Sequence, residues 1–88
     1  MGKLDGKVAV ITGGGTGIGK AIGKAFAEQG CDLVLAARNA ERLDESATEI
    51  AELGVRTLAV PTDVAIESDV MTLFERAMAE FGRVDLLV

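Results

Sequence analysis

Short apolar segments alternate with longer amphipathic segments along this chain of 88 residues. The first apolar segment, Lys7–Thr12, is rich in β-branched residues and alternates little, which is typical of a strand buried on both faces. Between the apolar segments, hydrophobic residues recur every three or four positions, which predicts helices. The predicted elements are, in chain order, strand 7–12, helix 17–29, strand 32–37, a helix that Asn39 caps and Gly54 ends, strand 55–60, helix 67–81 and a strand that begins at Asp85.

The order β-α-β-α-β-α-β predicts an α/β fold, the first half of a Rossmann-type doubly wound parallel sheet. No linker or repeat interrupts residues 1–88. In the usual order of such a sheet the fourth strand lies beside the first, which would leave an apolar edge, 86–88, unprotected. We therefore expect residues 1–88 to be the N-terminal part of a longer single-domain protein, and this chain alone to be poorly soluble or oligomeric.

Helical spacing also predicts which side chains face the sheet. In the first helix Ile18, Ile22, Ala25 and Phe26 fall at helical spacing, and Phe26 is predicted to be core. The other predicted core residues are Leu43, Ala47, Ile50 and Leu53 in the second helix, and Val70, Met71, Leu73, Phe74, Ala77, Met78 and Phe81 in the third. Cys31 is predicted to pack at the start of the second strand. The charged residues of the first two helices are predicted to form solvated faces and no metal site; they are Lys20, Lys24, Glu41, Asp44, Glu45, Glu49 and Glu52.

Composition narrows the possible functions. The net charge is −5 without a long basic run, which argues against a nucleic-acid partner. No apolar run approaches the roughly 20 residues of a membrane helix, and the single Cys31 fits a reduced, cytoplasmic setting. The chain has no His, Tyr or Trp, so its proton-transfer groups are reduced to carboxylates and a few lysines. Without a Cys/His cluster, a zinc site of the usual kind is excluded.

A glycine-rich turn joins the first strand to the first helix. Five of the seven residues from 13 to 19 are glycines, namely Gly13, Gly14, Gly15, Gly17 and Gly19. Glycines let a backbone turn sharply and approach a ligand closely, and the N-terminus of a helix favours an anion. A strand, a glycine-rich turn and a helix in this order therefore predict a cradle for the phosphates of a nucleotide.

Spacing distinguishes three kinds of phosphate cradle. The pattern G-x-G-x-x-G fails, because Ile18 and Lys20 stand where its last glycine is needed. The P-loop pattern is met by Gly14, Gly19 and Lys20, but Ala21 then lacks the hydroxyl that binds Mg²⁺. The third pattern, G-x-x-x-G-x-G, is met by Gly13, Gly17 and Gly19.

With this third pattern the sequence resembles the short-chain dehydrogenase/reductase family. The resemblance rests on residues 12–19, on Asp63-Val64 and on residues 81–88, and it spans essentially the whole chain. It implies an NAD(P)-binding segment in which the turn wraps the cofactor pyrophosphate and Asp63-Val64 contact the adenine ring. The implied pyrophosphate residues are Gly13, Gly17 and Gly19 with the main chain of Gly15, Thr16 and Ile18. A turn-forming role for Asp63 stays open as the alternative.

The end of the second strand bears on the choice between NAD and NADP. Enzymes that bind NAD place an acid there for the ribose 2′-hydroxyl, but this chain has Ala37 followed by Arg38. A carboxylate would repel a 2′-phosphate, whereas a guanidinium would bind it through two hydrogen bonds. We therefore predict NADP, with Arg38 as its 2′-phosphate residue. Asn39 is either a second phosphate contact or a helix cap. The chain departs from many NADP members in having Thr16 where they carry a second basic residue.

No catalytic residue is assigned, because the Ser and the Tyr-x-x-x-Lys helix of the family have no counterpart in these 88 residues. The resemblance implies an oxidoreductase that transfers hydride between NADP(H) and a carbonyl or hydroxyl substrate. This segment would supply cofactor binding, the substrate would bind to the missing C-terminal half, and the protein is expected to be a homo-oligomer. The alternative is a stand-alone dinucleotide-binding or interaction module without catalysis.

Overall fold

The computed structural model describes residues 2–13 and 17–88. A parallel sheet of four strands, in the spatial order β3-β2-β1-β4, is covered by three helices. The elements are β1 Val8–Thr12, α1 Gly17–Glu28, β2 Asp32–Ala37, α2 Ala40–Ala51, β3 Thr57–Pro61, α3 Glu67–Phe81 and β4 Leu86–Leu87. The predicted α/β fold, and the fourth strand beside the first, are confirmed.

The register brings the carboxyl ends of three strands to one edge of the sheet. Thr12 at the end of β1 pairs with Ala36 of β2, and Ala37 at the end of β2 pairs with Pro61 of β3. Crevices outside the carboxyl ends of such strands are where open α/β sheets bind ligands. Pro61 is included in β3, one residue beyond its predicted end, and proline is tolerated there because β3 is an edge strand.

Successive residues of the strands point to opposite faces, and both faces are buried. On one face, Ile11 and Leu35 pack with residues of α1 and α2, including Leu43 and Ile50. On the other, Val10, Val34 and Val60 pack with Leu73 and Ala77 of α3. Burial on both sides explains why β1 and β2 are apolar at almost every position.

Cys31 is fully buried, as predicted. Burial, and then the neighbouring Asp32 carboxylate, raise the pKa of its thiol above the ordinary value. The thiol therefore stays protonated at neutral pH and serves packing.

Several predicted core residues are exposed instead. Leu53 lies beyond the last residue of α2 and is 47% exposed, because the helical spacing that would have buried it has ended. Met78 is one residue from buried Ala77, about 100° around the helix, and is 50% exposed. Met71 is 57% exposed on the same helix. The remaining predicted core positions of the three helices are buried or half-buried.

Strand β4 is attached to β1 by an acidic side chain next to it. Asp85 Oδ2 accepts a hydrogen bond of 2.8 Å from the Val8 N–H. Arg83 donates to both carboxylate oxygens, from Nε at 2.8 Å and from Nη2 at 2.7 Å. The hydrogen bond from Arg83, and then that from Val8, hold the pKa of Asp85 below its ordinary value. At the carboxyl end of β1, the Thr12 hydroxyl donates to the Val88 carbonyl, which follows β4, at 2.9 Å.

Candidate dinucleotide-binding groove

An open groove of about 560 Å³ lies at the carboxyl edge of the sheet. The ends of β1, β2 and β3, with the loops that follow them, form its walls. Its lining residues are Thr12, Gly13, Ala36, Ala37, Arg38, Thr62, Asp63, Val64 and Ala65. The fold thus brings together four residues that the sequence predicts to bind cofactor: Gly13, Arg38, Asp63 and Val64.

Arg38 is the cation of this groove. Its side chain is exposed, directly after the end of β2, and joins no described residue by a hydrogen bond or an ion pair. The residue before it, Ala37, contributes no charge. A guanidinium in this setting can offer parallel N–H donors to a phosphate or carboxylate group of a ligand.

Asn39 caps α2, and this confirms one of its two predicted roles. Its side-chain Oδ1 accepts a hydrogen bond of 3.0 Å from the Arg42 N–H in the first turn. Such caps satisfy a backbone donor that the helix itself leaves unpaired. The Asn39 side chain is not part of the groove lining, and its amide nitrogen donates to no described residue. The cap therefore occupies only the oxygen of this side chain.

The loop after β3 forms the opposite wall. The Thr62 N–H donates to the Ala37 carbonyl at 2.8 Å, which ties the start of this loop to the end of β2. Asp63 Oδ1 accepts from the Ala65 N–H at 2.9 Å, so the turn-forming role of Asp63 is present. Its second carboxylate oxygen accepts from no described residue. Val64, although apolar, is 64% exposed where it lines the groove.

Asp69 supports this loop from outside the groove. Its Oδ2 accepts a hydrogen bond of 2.9 Å from the Asp63 N–H, and it lies in the first turn of α3. The sequence analysis did not single it out. The signal that could have found it is an acid three residues after the N-cap, where side chains commonly reach back to preceding N–H groups.

The glycine turn is described at its two ends only. Gly15 and Thr16, two of the predicted pyrophosphate residues, lie outside the described residues. Gly13 has φ +74°, and its N–H donates to the Ala36 carbonyl at 2.7 Å. A Cβ built on Gly17 would meet no heavy atom within 4 Å, so open space lies over the start of α1.

Ile18 and Gly19, the two remaining predicted pyrophosphate residues, lie in the first turn of α1. Ile18 is 79% exposed, and Gly19 is buried.

The lysines of α1 belong to a helix–helix contact and do not line the groove. Lys20 Nζ lies 2.6 Å, and Lys24 Nζ 3.6 Å, from Glu49 Oε2 on α2. The hydrogen bond from Lys20 holds the pKa of Glu49 below its ordinary value. The three side chains stay 29%, 45% and 47% exposed, so the predicted solvated faces of α1 and α2 meet in an ion pair at the surface.

Within residues 2–13 and 17–88, no group of acidic, histidine or cysteine side chains is arranged to hold a metal ion. None of the helices in the described part is both long and apolar enough to cross a membrane.

Comparison with known proteins gives the family. A model of the family described as short chain dehydrogenase matches residues 7–88. The peroxisomal 2,4-dienoyl-CoA reductase of Rattus norvegicus is 41% identical over 86 residues, which are 97% of this chain and 30% of that protein. This chain spans about a third of the length of the curated relatives it matches.

Solved structures agree with the sequence matches. An L-sorbose reductase from Gluconobacter frateurii, complexed with NADPH and L-sorbose, superposes with a TM-score of 0.93 at 46% identity, over 99% of this chain and 33% of that one. An NAD⁺-bound xylitol dehydrogenase superposes with a TM-score of 0.94 at 33% identity, over 97% of this chain and 33% of that one. With the parallel sheet, the glycine turn and a family match that covers nearly all of its length, this chain belongs to the short chain dehydrogenase family.

Proposed function

We propose that this chain is the cofactor-binding part of an NADP-dependent oxidoreductase, which transfers hydride between NADP(H) and a carbonyl or hydroxyl substrate. The observation that carries the choice of NADP is the end of β2, where exposed Arg38 follows uncharged Ala37 in the wall of the groove. A 2′-phosphate needs a cation and no nearby carboxylate at this point. The names of the relatives do not decide between the two cofactors, since one solved relative is NAD⁺-bound and another is complexed with NADPH.

The described residues fit a dinucleotide. The groove of about 560 Å³ runs along the three strand ends, and the open space over Gly17 lets a ligand approach the N-terminus of α1. Exposed Val64 offers an apolar surface for a flat base. When bound, the nicotinamide group of the cofactor supplies or accepts the hydride.

Each predicted cofactor-binding residue has a task in this proposal. Gly13, Gly17 and Gly19, with the main chain of Gly15, Thr16 and Ile18, hold the pyrophosphate. Arg38 donates to the 2′-phosphate, and the Asn39 amide nitrogen can donate to the same group while its oxygen caps α2. The second carboxylate oxygen of Asp63 accepts from the exocyclic amine of adenine, and the main chain of Val64 lies against the ring.

The proposal assigns no catalytic group to this segment, since its sequence has no tyrosine to exchange a proton with a carbonyl. Residues 1–88 are then an NAD(P)-binding segment of a longer single-domain enzyme, whose other part recognises the substrate.

The proposal includes a cytoplasmic location, supported by a single cysteine that forms no internal disulfide. It also includes assembly into a homo-oligomer, supported by the apolar side chains exposed on α3.

The decisive experiment compares NADP⁺ and NAD⁺ binding in the intact protein after replacing Arg38. Arg38→Ala is expected to weaken NADP⁺ at least about tenfold, because charge-assisted hydrogen bonds to the 2′-phosphate are lost. NAD⁺ binding should stay unchanged, since NAD⁺ lacks that phosphate. Isothermal titration calorimetry measures both dissociation constants.

Arg42→Ala is the matched control, because Arg42 lies in the first turn of α2 but does not line the groove. It should leave both affinities within about twofold of the starting protein. Tighter binding of NAD⁺ than NADP⁺ by the unmodified protein, or an Arg38→Ala variant that keeps its NADP⁺ affinity, would refute the NADP assignment.

A further inference from the structure

We infer that Asp69, which lies outside the groove, is a positioning residue for its adenine-side wall. The inference rests on the proposed function, because it concerns how the chain holds the loop that would contact the adenine ring. It adds a residue that neither the glycine turn nor the lining of the groove includes.

Three hydrogen bonds converge on Asp63 and shape this loop. Its N–H donates to Asp69 Oδ2 at 2.9 Å, its Oδ1 accepts from the Ala65 N–H at 2.9 Å, and its carbonyl accepts from the Ile66 N–H at 2.9 Å. The last two are local to the loop, whereas the first ties the loop to a helix. Asp69 is therefore the side chain through which α3 holds Asp63 in place.

The N-cap side chain of α3 offers no acceptor for the Asp63 N–H. The N-cap residue is Ile66, which makes no side-chain capping hydrogen bond. Asp69 is half-buried, and it reaches back six residues instead of the three that a capping box spans. A carboxylate that accepts from a backbone N–H is a strong, charge-assisted acceptor, and a helix N-terminus favours its negative charge.

The position of the Asp63 backbone decides what its carboxylate can do. One oxygen already accepts from the Ala65 N–H, so the other is the less encumbered acceptor for a ligand. If the Asp63 N–H loses its acceptor, the turn can shift, and the ligand-facing oxygen and exposed Val64 move with it. Loss of Asp69 should therefore weaken the adenine end of a dinucleotide site while leaving its nicotinamide end unaffected.

The test uses the intact protein and two fragments of the cofactor. Adenosine 2′,5′-bisphosphate reports on the adenine end, and nicotinamide mononucleotide reports on the other end. Asp69→Ala is expected to weaken the adenine fragment about tenfold, the effect of one lost hydrogen bond to a charged group. Binding of nicotinamide mononucleotide, followed by NMR titration, should change less than twofold.

Two further variants separate positioning from general damage to α3. Asp69→Asn keeps an oxygen that can accept from the Asp63 N–H, so it should recover most of the lost affinity. Glu67→Ala removes another carboxylate from the same helical turn, but one with no hydrogen bond to the loop, and it should bind both fragments like the unmodified protein.

Amide hydrogen exchange without any ligand gives an independent readout. The amides of Asp63 and Ala65 should exchange faster in Asp69→Ala than in Asp69→Asn or Glu67→Ala. Unchanged exchange, or equal weakening of both fragments, would overturn the role of Asp69. If the unmodified protein binds neither fragment, the proposed function itself fails, and this inference fails with it.

Discussion

At the scale of single residues, Asp85 couples the stability of the sheet to pH. Its carboxylate joins Arg83 to the Val8 N–H, and its pKa in the folded protein is lowered. A lowered folded pKa stabilises the protein above the unfolded value of about 3.9, and this stabilisation is lost as the pH falls through the folded value.

We therefore expect Asp85→Asn to lower the melting temperature at pH 7, and the difference to shrink as the pH falls below about 3.9 and through the lowered folded pKa. Thermal unfolding followed by circular dichroism, from pH 7 into this acidic range, measures the difference. Asp44→Asn, which removes a carboxylate on α2 that makes no described side-chain hydrogen bond, should show no such pH dependence. A gap between the unmodified protein and Asp85→Asn that stays constant down to about pH 2 would contradict the linkage.

Single residues were also where prediction from the sequence was least complete. The roles of Asn39 and Asp63 could be narrowed to two each, because asparagine and aspartate suit both turns and ligands. Choosing between them needed the partner atoms, and in both cases one oxygen satisfies the local backbone. Asp69 was not singled out because its one local signal, an acid three residues after the N-cap, does not indicate that its partner lies six residues away across a turn.

At the scale of elements, the fold was predictable because each helix ends near a glycine and each strand is nearly all apolar. Helix α3 and strand β2 have their predicted bounds, and the other elements differ at their ends. The faces of the helices were predicted less well. Hydrophobic spacing marks Met71 and Met78 as apolar, but only the position of α3 on the sheet decides that Leu73 and Ala77 are buried.

This distinction can be measured on one helix. Leu73→Ala should lower the free energy of unfolding by about 3 kcal/mol, because the Leu73 side chain is only 1% exposed and its removal leaves a cavity. Met71→Ala, at a side chain that is 57% exposed, should cost less than about 0.5 kcal/mol. Urea denaturation of the two variants compares them directly. Equal losses would mean that Met71 is buried in solution.

At the scale of the whole molecule, exposed apolar side chains lie next to one another on α3 and at the end of the chain beside β4. Met71 and Met78 border a surface groove on α3, while Leu87 and Val88, at the edge strand β4, are 63% and 45% exposed. Exposed apolar faces and strand edges favour association between chains.

We expect residues 1–88, expressed alone, to be oligomeric or poorly soluble. Size-exclusion chromatography with light scattering measures the mass in solution. A double variant, Met71→Lys with Met78→Lys, should shift the distribution towards smaller species if the α3 surface contributes. A single monodisperse peak at the monomer mass of 9.1 kDa would contradict the expectation.

The central place of β1 also has a consequence for synthesis on the ribosome. Of the four described strands β1 is made first, and it lies between β2 and β4. Its neighbour β2 follows soon, but the hydrogen bond between Val8 and Asp85 spans 77 residues. One side of β1 therefore has no partner until nearly all of this chain has left the ribosome. Because such distant pairings form slowly, the nascent chain carries an open, apolar strand edge that a chaperone could shield.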